Sequence, residues 1–386
     1  MTPDLSVFGE TASAPLAIMA TPGAQEYAEL IDKRLVEWYN EIAPVKQKLN
    51  RGTFLVGAAC PRFTNGDAKG IIMDTVRGKD LYIICDVGNH GVKFNMMGYE
   101  VPTTPDEHFA DLKRLICAAN GKPNRITVIM PMLYGSRQHR RSSRESLDCA
   151  IMLQELQNMG VSDIITFDAH DPRVQNAVPL MGFDNYFPHY QILKSLTKHF
   201  PDVKLDKNSL MVISPDEGAM NRNVYYASVL GLDLGMFYKR RDYANIVNGR
   251  NPIIAHEYIG SPVMGMNVFV ADDMIATGDS ILKLAKEIKE KGAQRVFLAP
   301  TFALFTEGVE KFNKAYEEGV FDAVLSTNLT YRIPELKECK WFVEADMSKY
   351  IAYIIAAANY NMSVSSLLDP SEKIRQLVES LNNNNQ

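Results

Sequence analysis

Apolar residues recur along this chain with two periods, which together predict alternating strands and helices. Short continuous apolar runs are typical of strands buried on both faces, whereas apolar residues three and four positions apart are typical of helices. This pattern predicts strands at residues 52–60, 81–85, 125–130, 163–167, 210–214, 234–238 and 268–271. It predicts helices at residues 25–39, 106–119, 147–159, 280–291, 350–358 and 371–381.

A helix, a glycine and an apolar strand follow one another twice at matched offsets, at residues 153–167 and 285–298. Such self-similarity predicts two α/β halves, each a mainly parallel sheet flanked by helices. We therefore expect an N-terminal domain at residues 25–187 and a C-terminal domain at residues 188–349, joined near residues 187–201. We also expect a poorly fixed arm at 1–24, loops at 87–105 and 242–265, a helical segment at 350–381 and a disordered tail at 382–386.

Composition narrows the functional classes. The net charge of −5 includes no long basic block, which argues against nucleic acid as a partner. Five cysteines form no C-x-x-C pair and seven histidines show no zinc-binding spacing, so we expect reduced thiols and a hard metal ion on carboxylates. No apolar run is long enough to cross a bilayer, so we expect no membrane contact and a cytoplasmic location.

Residues 268–280 carry the strongest candidate chemistry. An apolar strand there ends in Asp272 and Asp273, and a helix begins a few residues later. Backbone N–H groups at that helix N-terminus would point at a phosphate, while the carboxylates suit ribose hydroxyls or Mg²⁺. An ordinary helix cap explains the local pattern equally well. The candidate sugar-phosphate residues are Asp272, Asp273, Ala276, Thr277, Gly278, Asp279 and Ser280.

Other polar residues also follow predicted strands, which favours an active site over isolated caps. Three predicted strands are each followed by such residues: the first by Asp168 and His170, the second by Asp216 and the third by Lys239. Ligands of parallel sheets collect at the carboxyl ends of the strands. Four arginines at residues 137–144 suit a polyphosphate, although a solvated basic surface explains that segment slightly better on its own.

Taken together, these segments resemble the ribose-phosphate pyrophosphokinase family, and the likeness covers roughly residues 51–368. Members of that family transfer the β,γ-diphosphoryl group of ATP to the anomeric hydroxyl of ribose 5-phosphate and release AMP. The resemblance implies two tandem domains of the type I phosphoribosyltransferase fold, with ATP and ribose 5-phosphate as substrates and Mg²⁺ as cofactor. It also implies a homo-oligomer built from dimers, such as a hexamer.

The resemblance assigns an ATP site to two segments. The family's Arg-Phe-Ser-Asp-Gly-Glu stands here as residues 62–67, where the phenylalanine would stack on adenine and the two acids become an amide and a shorter acid. The family's Ala-Arg-Gln-Asp stands as residues 136–139, where the acid becomes histidine. Purine contacts are therefore expected in altered form. The ATP-binding residues that carry over are Phe63, Asn65, Asp67, Arg137 and Gln138.

Three further motifs imply the metal-binding and catalytic residues. The family's Asp-Leu-His-Ala stands here as Asp-Ala-His-Asp, which makes His170 the expected contact to the Mg²⁺ on ATP. An intact Ser-Pro-Asp makes Asp216 a second metal or ribose contact, with Arg222 at the expected distance. An intact Lys-Arg-Arg opens the catalytic loop, where Lys239 and Arg241 would neutralise charge on the transferring group.

Several departures mark a divergent member of that family. In the sugar-phosphate loop a family acid is Ala276 and a family glycine is Asp279, a residue type that tolerates the positive φ a glycine would serve. Residues 144–150 do not keep the Arg-x-Pro-Ile-x-Ala-Lys of the family's regulatory phosphate region, so we expect weak or no activation by phosphate. Segments 89–105 and 242–265 contain insertions.

Two other functions stay open from the sequence. A phosphoribosyltransferase consumes the diphosphate sugar and needs only one such domain, so two halves favour the synthetase. A catalytically weak regulatory paralogue is compatible with the altered ATP motif. The intact Lys239, Arg241, His170 and Asp216 argue against it.

Overall fold

The computed structural model describes residues 12–42, 50–241 and 253–384, which form two compact units. Unit 1 comprises the described part of Met1–Phe187 with Asn328–Tyr331 and Asp346–Asp369. Unit 2 comprises the described part of Pro188–Thr327 with Arg332–Ala345 and Pro370–Gln386. The domain boundaries expected from the sequence stay a prediction.

Strands and helices alternate along most of the described chain. Its strands are β1 Leu16–Ala20, β2 Ala58–Ala59, β3 Ile71–Ile72, β4 Asp80–Ile84, β5 Lys93–Met96, β6 Tyr99–Pro102, β7 Arg125–Ile129, β8 Asp163–Phe167, β9 Gly182–Tyr186, β10 Leu210–Ser214, β11 Leu234–Arg241, β12 Ile253–Ile259, β13 Asn267–Ile275, β14 Arg295–Ala303, β15 Ala323–Thr327 and β16 Phe342–Ala345. Its α-helices are α1 Gln25–Ile42, α2 Pro105–Ala119, α3 Asp148–Asn158, α4 His189–His199, α5 Met220–Leu230, α6 Asp279–Glu290, α7 Glu310–Glu317, α8 Ser348–Asn359, α9 Ser365–Leu368 and α10 Ser371–Asn384.

Unit 1 is organised around a parallel sheet whose strand order, within the described residues, is β1-β4-β7-β8-β9. β1, β4, β7 and β8 are short, mostly apolar and buried, because helices cover both faces, as a parallel sheet requires. α2 and α3 contribute buried side chains to the core on one face. On the other face, Tyr350 of α8 contacts Phe167 of β8 and Tyr186 of β9.

Unit 2 is organised around a larger sheet whose order, within the described residues, is β12-β11-β10-β13-β14-β15-β16. All neighbouring pairs are parallel except β11 and β12. α6 and α7 pack on one face, and α4, α5 and α10 pack on the other. The fold class expected from sequence is therefore confirmed: both units are mainly parallel sheets flanked by helices.

The duplicated helix, glycine and strand pattern is also confirmed. α3 leads through Gly160 to β8, and α6 leads through Gly292 to β14. Gly160 has a φ of 88° and Gly292 a φ of 92°. Glycine reaches this left-handed backbone at low cost and commonly ends helices, so the repeated glycine marked a real structural boundary.

Three predicted loops contain regular structure. The arm prediction is wrong for Leu16–Ala20, which form a buried strand paired in parallel with β4. These five apolar residues follow a stretch rich in Pro, Ser and Thr, which hid the strand. The excursion at 87–105 holds an antiparallel hairpin of β5 and β6. The loop prediction at 242–265 is wrong for Ile253–Ile259, which pair with β11, and residues 242–252 lie outside the described residues.

Three further predictions need correction. The strand expected at 52–60 is wrong apart from Ala58–Ala59, because this mostly apolar segment makes only a two-residue pairing and an isolated bridge between Leu55 and Ile18. The join expected near 187–201 is largely the helix α4, whose apolar residues pack against the sheet of unit 2. The tail prediction is wrong for 382–384, where α10 continues, and residues 385–386 lie outside the described residues.

Candidate active site

The carboxyl ends of β10 and β13 bring together the acids that the sequence singled out in unit 2. β10 ends at Ser214, and the following turn is closed by Asp216, whose carboxylate accepts a hydrogen bond from the backbone N–H of Ala219 at 3.1 Å. β13 continues past its apolar run through Asp272 and Asp273. Because β10 and β13 are parallel neighbours, these acids lie at the same edge of the sheet.

The charge environment of Asp272 is the main electrostatic feature of this edge. Burial raises the pKa of Asp272 well above its ordinary value, and Asp273 and Asp216 raise it further. Arg222 opposes that shift, with a guanidinium nitrogen 3.7 Å from Asp272 Oδ1. Neighbouring acids destabilise the charged form of a carboxyl group. A cation bound beside that group would stabilise the charged form.

This group of acids suits a hard divalent cation that has further ligands from outside the protein. Among the described residues, no three His, Cys, Asp or Glu side chains form a ready metal cage. Mg²⁺ is usually held by one or two carboxylates together with phosphate oxygens and water. Asp216 and Asp272 offer that type of partial donor set.

Asn223 fixes the strand that carries this carboxylate pair, and sequence reasoning missed it. Its buried side chain donates a hydrogen bond to the carbonyl of Ala271 at 2.9 Å and accepts one from the N–H of Ala271 at 3.1 Å. The backbone just before Asp272 is therefore held by α5. Asn223 lies one residue after Arg222, and that proximity is the one signal the sequence offered.

The loop after β13 has a tightly packed glycine where its helix begins. Gly278 has a φ of 90°, and a Cβ there would lie 2.3 Å from Cζ of Phe312. Asp279 is the first residue of α6 and does not have a positive φ, so the expectation of a positive φ at Asp279 is wrong. The neighbouring glycine already supplies that conformation.

The side chain of Asp279 is held by two donors. Thr277 Oγ1 donates a hydrogen bond to Asp279 Oδ2 at 3.0 Å, and Lys311 Nζ donates to Asp279 Oδ1 at 2.7 Å. Lys311 also contacts Glu307 Oε2 at 2.6 Å. Sequence reasoning missed Lys311 because it lies on α7, thirty-two residues from its partner.

The proposed catalytic residues are described only by their backbone. Lys239 and Arg241 lie at the end of β11, where Lys239 is opposite His256 in the register with β12. Their side chains lie outside the described part of the chain. Their catalytic role therefore stays a prediction.

In unit 1, the turn at residues 62–67 presents Phe63 to solvent. Phe63 is 54% exposed, and the ammonium of Lys69 lies 5.9 Å from the centroid of its ring. Asn65 and Asp67 bond to each other, with Asn65 Nδ2 donating to Asp67 Oδ2 at 2.7 Å. An exposed aromatic ring beside a polar pair suits stacking on a flat heterocycle.

The β5–β6 hairpin braces this turn. The N–H of Met97 donates to the carbonyl of Thr64 at 2.8 Å, and the Arg62 guanidinium carbon lies 5.1 Å from the centroid of the Phe94 ring. Arg62 also makes a two-pronged ion pair with the buried Asp111, with both N···O distances 2.7 Å. The hairpin forms one wall of a cavity of about 440 Å³ beside the turn.

The other polyphosphate candidates of unit 1 lie after β7 and β8. Arg137 is exposed, whereas the side-chain amide of Gln138 donates to the carbonyls of Ser146 at 2.8 Å and Arg140 at 3.2 Å. Gln138 thus shapes its own loop, and of the two Arg137 is the exposed one.

His170 lies beside a histidine and an acid that replace the family's residues. Its ring centroid is 5.3 Å from that of His139, and His139 Nε2 lies 3.5 Å from Asp171 Oδ2. Arg173 lowers the pKa of Asp171 to about 2, so this carboxylate stays charged near neutral pH.

Comparison with known proteins covers both units. A family model of the N-terminal domain of ribose phosphate pyrophosphokinase matches residues 16–160, and a phosphoribosyl transferase domain model matches residues 184–317. A ribose-phosphate pyrophosphokinase of Ralstonia nicotianae is 30% identical over 262 residues, covering 67% of this chain and 72% of the relative. One from Chlorobaculum tepidum is 28% identical over 330 residues, covering 85% and 91%.

The chain belongs to the ribose-phosphate pyrophosphokinase family. The crystal structure of phosphoribosylpyrophosphate synthetase from Mycobacterium smegmatis has the same fold, with a TM-score of 0.69 at 19% identity over 90% of this chain and 99% of that one. Family and fold predictions from the sequence are thus confirmed. No helix of the described residues is long and apolar enough to span a membrane.

Proposed function

We propose that this ribose-phosphate pyrophosphokinase family member transfers the β,γ-diphosphoryl group of ATP to O1 of ribose 5-phosphate, giving 5-phosphoribosyl 1-diphosphate and AMP. The observation that carries the proposal is the group of acids at the ends of β10 and β13, with Arg222 beside Asp272. Such a group suits ribose hydroxyls and a metal ion. Family membership over both units supports the synthetase over a single-domain transferase.

The sugar-phosphate site is proposed for the loop between β13 and α6. Its members are Asp272, Asp273, Ala276, Thr277, Gly278, Asp279 and Ser280. The first N–H groups of α6 have no carbonyl partner within the helix and therefore suit a phosphate. The carboxylates before the loop would accept hydrogen bonds from the ribose hydroxyls.

The ATP site is proposed for Phe63, Asn65, Asp67, Arg137 and Gln138. Phe63 would stack on adenine, and the Asn65–Asp67 pair would offer an amide and a carboxylate to the purine edge. Arg137 would bind phosphate oxygens. Gln138 would act through the shape of its loop, because carbonyls already engage its amide.

The chemistry asks mainly for alignment and charge neutralisation. His170 would contact the Mg²⁺ on ATP and Asp216 would be a second metal or ribose contact, and the bound ion would supply charge that stabilises the transferring phosphates. Lys239 and Arg241 would neutralise the negative charge that grows on the departing AMP phosphate. No strong general base is required, because bonding to the anomeric oxygen is slight in a loose transition state, so its proton can leave late to water as the bond to AMP breaks.

The test measures AMP formation while each component of the reaction is left out in turn. We expect AMP only when ATP, ribose 5-phosphate and Mg²⁺ are all present, and robust activity in a chelator would contradict the metal requirement. An inert complete mixture would favour the regulatory paralogue. If the chain releases diphosphate when it is given 5-phosphoribosyl 1-diphosphate together with a purine base, a phosphoribosyltransferase is favoured.

We also propose a cytoplasmic homo-oligomer built from dimers, up to a hexamer. Its support is the family resemblance, so sedimentation at several protein concentrations is the direct test. A monomer at micromolar concentration would contradict this part of the proposal.

A further inference from the structure

The sugar-phosphate loop already contains an anion of its own. The Asp279 carboxylate accepts hydrogen bonds from the Thr277 hydroxyl at 3.0 Å and from the Lys311 ammonium at 2.7 Å. Both donors belong to the immediate surroundings of the loop. Lys311 lowers the pKa of Asp279 as the largest contribution, and the hydrogen bond from Thr277 adds to it.

Packing holds Lys311 at this place. The preceding loop and α7 lie beneath the phosphate loop, and the Phe312 ring fills the space that a side chain on Gly278 would need. Lys311 precedes Phe312 and is 28% exposed at its side chain. Because Phe312 is fully buried, the backbone of Lys311 is fixed and its ammonium stays within reach of the loop.

We propose that Lys311 is a binding residue for the phosphate of the sugar substrate, and that Asp279 is an internal competitor for the same donors. This inference rests on the proposed function, because it takes a sugar phosphate as the ligand of the loop. A dianionic phosphate would take the Thr277 hydroxyl and the Lys311 ammonium from Asp279. The affinity for the sugar phosphate is then set by the balance of these two side chains.

The two side chains therefore have opposite effects on binding. Asp279→Asn keeps the size of the side chain but removes the competing charge, so ribose 5-phosphate should bind a few-fold more tightly. Lys311→Met keeps the apolar stem but removes the ammonium. It should weaken binding roughly tenfold, the scale of one lost charge-assisted hydrogen bond.

The experiment is calorimetric titration of ribose 5-phosphate into each variant of the full chain, without ATP. Lys314→Met is the matched control, because Lys314 lies on the same helix, is exposed and pairs with Glu318 at 3.9 Å. We expect no change in that control. Added salt should shrink the difference between wild type and Lys311→Met, since screening weakens exposed charge interactions.

Two further variants guard against a folding artefact. Lys311→Arg should keep most of the affinity, and Lys311→Met with Asp279→Asn should lie closer to wild type than Lys311→Met alone. Equal effects of Lys311→Met and Lys314→Met would overturn the proposal. Binding is measured without ATP, so a wild-type chain that binds the sugar phosphate but makes no AMP would count against the proposed function alone.

Discussion

At the scale of single residues, His139 and Asp171 differ in charge from the residues that the family has at these two positions. The family carries an acid where this chain has His139, and alanine where it has Asp171. The two positions face each other, with Nε2 and Oδ2 3.5 Å apart. His139 Nδ1 lies 3.3 Å from the carbonyl oxygen of Ser136, so both ring nitrogens face acceptors.

This geometry predicts that His139 and Asp171 are coupled. His139→Asp alone places two carboxylates together, at a cost between about 1 and 4 kcal/mol depending on local screening, and should raise KM for ATP. Adding Asp171→Ala recreates the family's pair and should recover most of the loss. Simple addition of the two single effects in steady-state kinetics would contradict the coupling.

Asp171 also caps the short helix at residues 172–177 by accepting a hydrogen bond from the N–H of Arg173. Asp171→Asn separates this structural role from the charge, because asparagine caps equally well. If Asp171→Asn leaves KM for ATP unchanged, Asp171 is a cap and nothing more.

A second prediction at this scale concerns Lys239 and Arg241. Their charge matters most as the transferring group separates, so Lys239→Ala and Arg241→Ala should each lower kcat by at least about 10²-fold. The rise in KM should be much smaller. If KM for ATP rose while kcat stayed at the wild-type value, these residues would serve binding instead.

At the scale of elements, the β5–β6 hairpin supports the turn that carries Phe63. The N–H of Thr103 donates to the carbonyl of Val92 at 2.8 Å, so the chain is already closed at the base of the hairpin. Replacing residues 93–102 by Asn-Gly should therefore leave α2 in place, because its capping box of Thr104 and Glu107 is retained.

We predict that this shortened chain has a raised KM for ATP and an unchanged KM for ribose 5-phosphate. The physical reason is the loss of the Met97 hydrogen bond and of the Phe94 ring from the turn. Tyr99→Ser is the control, since Tyr99 is 74% exposed and the hairpin remains. Equal KM values for ATP in wild type and shortened chain would show that the turn needs no support.

The sequence predicted elements well where local pattern and burial agree. α6 is an example, because Ile281, Leu284, Ala285 and Ile288 are all buried at helical spacing. β1 and β12 were missed because each forms by pairing with another strand, β1 with β4 and β12 with β11, and local periodicity does not reveal such pairing. The site residues at strand ends could be predicted because the apolar runs before them mark where each strand ends. Asn223 and Lys311 could not, because they act through contacts with other elements, which periodicity does not reveal.

At the scale of the whole molecule, an early and a late segment of the chain meet within unit 1. The Asn359 amide donates to the carbonyl of Ala14 at 3.0 Å and to the buried carboxylate of Asp80 at 2.9 Å. Arg125 pairs with the same carboxylate and donates to the carbonyl of Ala358 at 3.0 Å. α8 therefore belongs to the core of unit 1, although it follows unit 2 in the sequence.

This tie predicts that Asn359→Ala lowers the free energy of unfolding by about 1–3 kcal/mol, the cost of leaving buried polar groups without a partner. Asn158→Ala, on the exposed face of α3, should change it by no more than about 0.5 kcal/mol. Urea denaturation of both variants is the measurement. Equal midpoints would show that the contact of Asn359 with Asp80 adds no stability.

The central claim is that a diphosphoryl group moves in one step from ATP to the sugar. Phosphorus NMR of wild-type chain with ATP, ribose 5-phosphate and Mg²⁺ tests it most directly. We predict that AMP and a diphosphate attached to C1 of the sugar appear in equal amounts, with no ADP. Appearance of ADP would mean transfer of a single phosphoryl group and would contradict the account, as would an unchanged spectrum.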